Sequence, residues 1–148
     1  MSWLPARGFN LLLFDYRGFG RSEGEVTRAG TVADAVAAID VALERDPKRT
    51  VVFGHSLGGA IGIVAAARRP RVRAIAVEST FPSYRAAARC SSSLLSLLVP
   101  LLVSTGEDPI AALPHLPPRP LLVIHGTADS ITPFEQALVE FFRAAIAR

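Results

Sequence analysis

Four short apolar runs follow one another along the chain, at residues 10–14, 50–53, 73–77 and 121–124. None of them alternates apolar with polar residues, and each has the length of a strand rather than of a helix. Half of the residues in the chain are apolar, as expected where a parallel sheet is covered on both faces. The runs therefore predict four buried strands.

The segment after the first run has the spacing of an amphipathic helix. Thr31 and Asp34 have the spacing of a capping box at its start, and Asp46 and Pro47 close it. Between them, apolar residues recur at three- and four-residue steps: Val32, Ala35, Val36, Ile39, Ala42 and Leu43.

Two further helices are predicted. One runs from Leu57 to about Arg68 and is stopped by Pro70, and the other follows the capping-box pattern at residues 132–135 and continues to residue 148. Between residues 78 and 118 the chain is irregular, with one apolar helical piece at residues 94–103. Alternating strands and helices predict an α/β fold with parallel strands and right-handed crossovers.

The loops that carry reactive side chains all follow predicted strands. They are residues 15–24, 54–58, 78–83 and 125–129. In parallel sheets, ligands bind beyond the carboxyl ends of the strands, where such loops meet. The sequence therefore predicts that the functional site lies at this edge of the sheet.

Gly54, His55, Ser56, Leu57 and Gly58 form the most informative motif. A Gly-x-Ser-x-Gly pattern between a strand and a helix is typical of a sharp turn that projects the serine hydroxyl above the sheet. The flanking glycines keep side chains out of the space where strand and helix cross. The motif makes Ser56 a candidate nucleophile.

Three segments in one order, residues 15–24, 54–59 and 125–129, resemble the α/β-hydrolase superfamily, and most closely its α/β-hydrolase domain-containing and serine aminopeptidase-like serine hydrolases. The resemblance implies one α/β-hydrolase domain over residues 1–148, truncated at both ends, with a short cap-like insertion at about residues 79–113. It also implies a partial α/β-hydrolase fold with a mostly parallel sheet. No metal or organic cofactor is implied.

By this resemblance Ser56 is the nucleophile, Asp129 orients a catalytic histidine, and the backbone N–H of Leu57 is one oxyanion donor. Such a site hydrolyses an ester, thioester or amide through an acyl-enzyme. A serine needs a base to take its proton, and a carboxylate fixes the tautomer of that base. Two alternatives stay open: an acyltransferase with the same nucleophile, and a noncatalytic binding module that keeps the fold.

The resemblance places the catalytic histidine beyond the last helix, outside this chain. Of the three histidines present, His55 is expected to point away from the Ser56 hydroxyl, His125 to line the pocket, and His115 to lie in a loop. Glu78 is expected to be a structural or pocket carboxylate. Arg17 is expected to brace its glycine-rich loop rather than to contact substrate.

In the family, one more strand lies between those predicted at residues 10–14 and 50–53, so an unpaired edge and self-association are expected. The chain carries a net charge of +3 but has no visible nucleic-acid-binding module. No stretch is long and apolar enough for a membrane span. Without a secretory signal, and with Cys90 as its one cysteine, the chain is expected in the cytoplasm.

Overall fold

The sheet consists of parallel strands joined by a helix and a longer connection. In a computed structural model that describes residues 4–84, 87, 106–130, 132 and 134, three strands pair in the order β1 (Val51–His55), β2 (Ala74–Glu78) and β3 (Leu121–Ile124). In register, Phe53 lies opposite Ala76, which lies opposite Leu122. The predicted parallel α/β architecture is confirmed.

One helix precedes β1 in the chain and another follows it. Helix α1 spans Arg28–Arg45, and α2 spans Leu57–Ala67. A short helix α3 (Pro109–Ala112) runs into a 3-10 turn (Leu113–His115) that leads to β3. Another 3-10 turn spans Pro5–Arg7.

Helix α1 begins earlier than its predicted capping box. Thr27 is the N-cap, and its side-chain oxygen accepts the N–H of Gly30 at 3.0 Å. Thr31 is buried inside the first turns, where its hydroxyl donates to the carbonyl of Arg28 at 2.9 Å. The prediction that Thr31 caps the helix is wrong, because Thr27 offers an acceptor one turn earlier. Asp46 ends the helix as predicted.

The core lies between the helices and one face of the sheet. Helix α2 contacts both β1 and β2, and its side chains are almost all buried. The opposite sheet face carries large apolar side chains that are between 41% and 57% exposed: Val51, Phe53, Leu122 and Ile124. Within the described residues the sheet is therefore covered on one side, whereas the sequence pattern predicts cover on both.

Residues 10–14 do not form the predicted strand. They have no regular secondary structure, and Leu11, Leu12, Leu13 and Phe14 are between 39% and 71% exposed. An apolar run becomes a strand only when a neighbour pairs with its backbone. Here β1 is the edge of the sheet formed by the described residues, so the run at 10–14 has no strand beside it.

Several predictions fall outside the described residues. These are the helical piece at 94–103, Cys90, most of the cap-like insertion and the last helix from residue 135 onwards. None of the helices described is long and apolar enough to cross a membrane.

Candidate active site

Ser56 occupies the turn between β1 and α2 in a backbone conformation that side chains rarely adopt. Its φ is 51° and its ψ is −121°, a region that is strained for any residue except glycine. Its N–H donates to the carbonyl of Glu78 at 2.8 Å. Its hydroxyl makes no bond to the amides of the helix that it begins. The serine therefore stands at the carboxyl edge of the sheet without serving as a helix cap.

Close backbone approach explains two of the glycines around this serine. A Cβ at Gly54 would lie 2.4 Å from the carbonyl oxygen of Gly58, and one at Gly59 would lie 2.8 Å from the Cβ of Thr80. At Gly58 nothing lies within 4 Å of such an atom. The turn thus requires glycine at positions 54 and 59, and Gly58 matters through its backbone.

Thr80 holds the serine from the neighbouring strand end. It is fully buried, and its hydroxyl donates to the carbonyl of Ser56 at 2.8 Å. Beside it, Ser79 has a φ of 47° and donates its N–H to the carbonyl of Ile124 at 2.9 Å. No motif in the sequence marks Thr80. The ends of all three strands are linked by these bonds and by the bond from Ser56 N–H to Glu78.

Asp129 lies in the loop that follows β3, at the same edge of the sheet as Ser56. Its Oδ1 accepts the N–H of Thr132 at 2.9 Å, and its Oδ2 lies 3.5 Å from Nε2 of His125. One strand separates β1 from β3, so the two strands are about 10 Å apart. A backbone bond and an imidazole contact fix this carboxyl group within its own turn.

His125 supports the Asp129 loop from inside. Its side chain is 1% exposed, and its Nε2 lies 2.7 Å from the carbonyl oxygen of Thr132. A carbonyl only accepts hydrogen bonds, so Nε2 carries the proton in this contact. The imidazole therefore connects the two ends of the turn that carries Asp129.

The other two histidines are placed by the strands next to them. His55 is exposed and pairs in register with Glu78, on the sheet face opposite to α2. His115 ends the 3-10 turn before β3, so it precedes the amino end of that strand, whereas Ser56 follows a carboxyl end.

Arg17 braces the loop at residues 15–24, as its predicted role requires. Its backbone N–H and its guanidinium both bond to the carboxylate of Asp34 in α1, at 2.7 to 3.1 Å. This side-chain hydrogen bond lowers the pKa of Asp34 below its ordinary value of 3.8. Asp34, predicted to be part of a capping box, instead fixes the loop.

The sequence matches the serine aminopeptidase S33 family over residues 1–113. It is also 40% identical to the uncharacterized protein YfhR of Escherichia coli strain K12 over 142 residues, a match that covers 93% of this chain and 49% of YfhR. The chain therefore spans about half the length of that relative.

Solved structures show the same fold. The esterase Pf2001 of Pyrococcus furiosus superposes with a TM-score of 0.77 at 21% identity, over 97% of this chain and 58% of the esterase. Atu1826, a putative α/β-hydrolase from Agrobacterium tumefaciens, superposes with a TM-score of 0.67 at 26% identity, over 97% and 56% of the two chains. With the sequence match, these similarities show that the chain belongs to the serine aminopeptidase S33 family of α/β-hydrolases.

Proposed function

We propose that Ser56 is the nucleophile of a serine hydrolase that cleaves small ester, thioester or amide substrates. The observation that carries the proposal is the strained backbone of Ser56 between β1 and α2. Strain of about 1–3 kcal/mol at one residue persists only where the surrounding structure enforces it, and such residues cluster at active sites. A serine needed only to cap α2 would adopt an ordinary extended conformation.

The proposed reaction begins with attack of the Ser56 oxygen on the substrate carbonyl carbon. A carbon–oxygen bond forms, the hydroxyl proton passes to a base, and the carbonyl oxygen becomes an oxyanion. The leaving group then departs with a proton from the base, which leaves an acyl-enzyme that water cleaves. Leu57 is the first residue of α2, so its N–H has no acceptor within the helix and is proposed to stabilise the oxyanion.

The proposed base is a histidine other than the three in this chain. His125 uses its Nε2 on the carbonyl of Thr132, and the positions of His55 and His115 do not suit the role. Asp129 is proposed to orient that base, because bonds from its own turn already fix its carboxylate. Since a triad acts as a unit, this chain alone is expected to turn over substrate slowly or not at all.

A fluorophosphonate probe tests the nucleophile without requiring turnover. Labelling of the folded chain on the peptide that contains Ser56, removed by Ser56→Ala, supports a working nucleophile. Ser22→Ala is the matched control, because its hydroxyl only donates to the carbonyl of Asp15. A folded chain that takes no label favours a noncatalytic binding module or an inactive fragment without its base, and a Ser56→Ala variant that is labelled equally contradicts the proposal.

A further inference from the structure

Arg28 is a buried charge at an unusual position. It is the first residue of α1, yet it is only 5% exposed. A cation at a helix N-terminus is unfavourable for the helix dipole, and a buried charge must be compensated by other groups. The contacts of Arg28 therefore need an explanation beyond the stability of α1.

Two of these contacts join parts of the chain that are far apart in sequence. The guanidinium lies 3.7 Å from the centre of the Tyr84 ring, a cation–π arrangement. One of its nitrogens, Nη1, also donates to the carbonyl of Gly106. Tyr84 precedes and Gly106 follows residues 88–105 in the chain, so one side chain contacts described residues that are 22 positions apart.

The residues after Gly106 are held by separate partners. Glu107 accepts the guanidinium of Arg68 at 2.5 Å, and Oδ1 of Asp108 accepts the N–H of Tyr84 at 3.0 Å. A backbone bond from Ile110 to the carbonyl of Pro82 closes the pair at 2.8 Å. Residues 82–84 and 108–110 are thus bonded to each other, and Arg28 connects both segments to α1.

Tyr84 also belongs to an apolar cluster that contacts the start of α2, next to the serine turn. Tyr84 and Phe81 make an edge-to-face pair with ring centres 5.2 Å apart. They form one apolar cluster with Ala60 of α2, against which Leu57 packs. Leu57 follows the candidate nucleophile directly.

The ring of Tyr84, rather than its hydroxyl, makes these contacts. Tyr84 is 1% exposed, and its hydroxyl has no hydrogen-bond partner among the described residues. Burial raises the pKa of Tyr84 to about 12, so a neutral aromatic face meets the guanidinium. Removing the hydroxyl therefore leaves the contact with Arg28 intact.

We propose that Arg28 is a positioning residue that fixes Tyr84 and Gly106 on α1. Through Tyr84 it also fixes the position of the apolar cluster beside Leu57, which is the wall that receives the acyl group of the substrate. The first part of the proposal concerns the structure alone. The second part, the role of the wall, rests on the proposed function. The two parts need different measurements.

Hydrogen–deuterium exchange of the whole chain tests the first part. In Arg28→Met we expect peptides covering residues 81–84 and 106–110 to exchange about tenfold faster or more, because a buried hydrogen bond from a charged donor is lost. Arg45→Met is the matched control, an exposed arginine in the last turn of the same helix, and it is expected to change neither peptide. Tyr84→Phe is also expected to leave exchange unchanged.

A double variant separates the loss of the Arg28–Tyr84 contact from general destabilisation. Arg28→Met combined with Tyr84→Leu is expected to accelerate exchange in these peptides by less than the product of the two single effects, because the Arg28–Tyr84 contact is lost in either variant. If Arg28→Met does not fold, Arg28→Lys provides the comparison, since it keeps the charge and loses the planar group. Unchanged exchange in both peptides, or an equal increase throughout the chain, overturns the proposal.

Fluorophosphonate probes with short and long alkyl chains test the second part. The ratio of their Ser56 labelling rates is expected to shift in Arg28→Met and to stay unchanged in Arg45→Met. A constant ratio overturns the role of the wall while the exchange result stands. If the unmodified chain takes no label from either probe, Ser56 is not a working nucleophile in this chain, which overturns the role of the wall here, and the exchange measurements still decide whether Arg28 holds Tyr84 and Gly106.

Discussion

The hydroxyl of Thr80 donates a hydrogen bond of 2.8 Å to the main-chain carbonyl of Ser56. Thr80→Val keeps the shape of the side chain and removes the donor. We expect it to lower the free energy of unfolding by about 1 kcal/mol, a modest loss because the same carbonyl keeps the N–H of Gly59 at 3.0 Å. Urea unfolding measures this loss. Thr80→Ser retains the donor and is the control; an equal loss in both variants would contradict a role for the bond.

The contrast between Gly54 and Gly58 gives a second prediction. Gly54→Ala places a Cβ 2.4 Å from a backbone oxygen, so we expect a loss of about 3 kcal/mol in the free energy of unfolding. Gly58→Ala meets nothing within 4 Å and is expected to be neutral or to stabilise α2 by up to about 1 kcal/mol. Thermal and urea unfolding of the two variants measure the difference. Equal stability of the two would show that the turn is looser than described.

Relief of strain at position 56 gives a third prediction. With a φ of 51°, an alanine is strained there and a glycine is not, so Ser56→Gly is expected to be more stable than Ser56→Ala by about 1 kcal/mol. Both variants lose the proposed nucleophile. A more stable alanine variant, measured by urea unfolding, would mean that residue 56 sits in an ordinary conformation.

The Arg17–Asp34 pair makes stability depend on pH. The hydrogen bond from Arg17 lowers the pKa of Asp34 below 3.8, so the stabilisation is fully present above that ordinary value. It is lost as pH falls through the lowered folded-state pKa. Asp34→Asn should therefore be less stable than the unmodified chain at pH 7, and the gap should narrow in acid. Solvent screening keeps the effect small, because the Arg17 side chain is 38% exposed.

Unfolding curves at several pH values test this dependence. The same curves for Asp46→Asn are the comparison, because the partner of Asp46, Arg49, is much more exposed than Arg17. A gap between Asp34→Asn and the unmodified chain that does not change with pH would exclude the carboxylate charge as its cause.

Local signals in the sequence were enough for much of the fold. The run at 121–124 is a strand with the predicted bounds, and α2 begins at Leu57 as predicted and ends within a residue of its predicted end. Each of these elements has its own apolar run and its own stop signal. The strands predicted at 50–53 and 73–77 both begin one residue later than predicted. The first ends two residues later than predicted, and the second ends one residue later.

Contacts between distant residues could not be read in this way. Residues 10–14 have a strand-like composition, but strand formation depends on a neighbour that the pattern does not encode. Nothing in the sequence pattern marks Arg28, although its side chain bonds to a carbonyl 78 positions away. In both cases distant parts of the chain decide the outcome. The facing of Ser56 and Asp129 across the site stays a prediction.

The hydrogen bond between Thr80 and Ser56 spans 24 positions, and it limits what the five-residue motif can transfer. Grafting residues 54–58 between a strand and a helix of another scaffold would copy the glycines but not the threonine that anchors the bend from the side. A transplant of this serine turn should therefore carry the adjacent strand and its buried hydroxyl. Motif searches that require both segments should therefore find fewer false matches to this serine turn than searches with the pentapeptide alone.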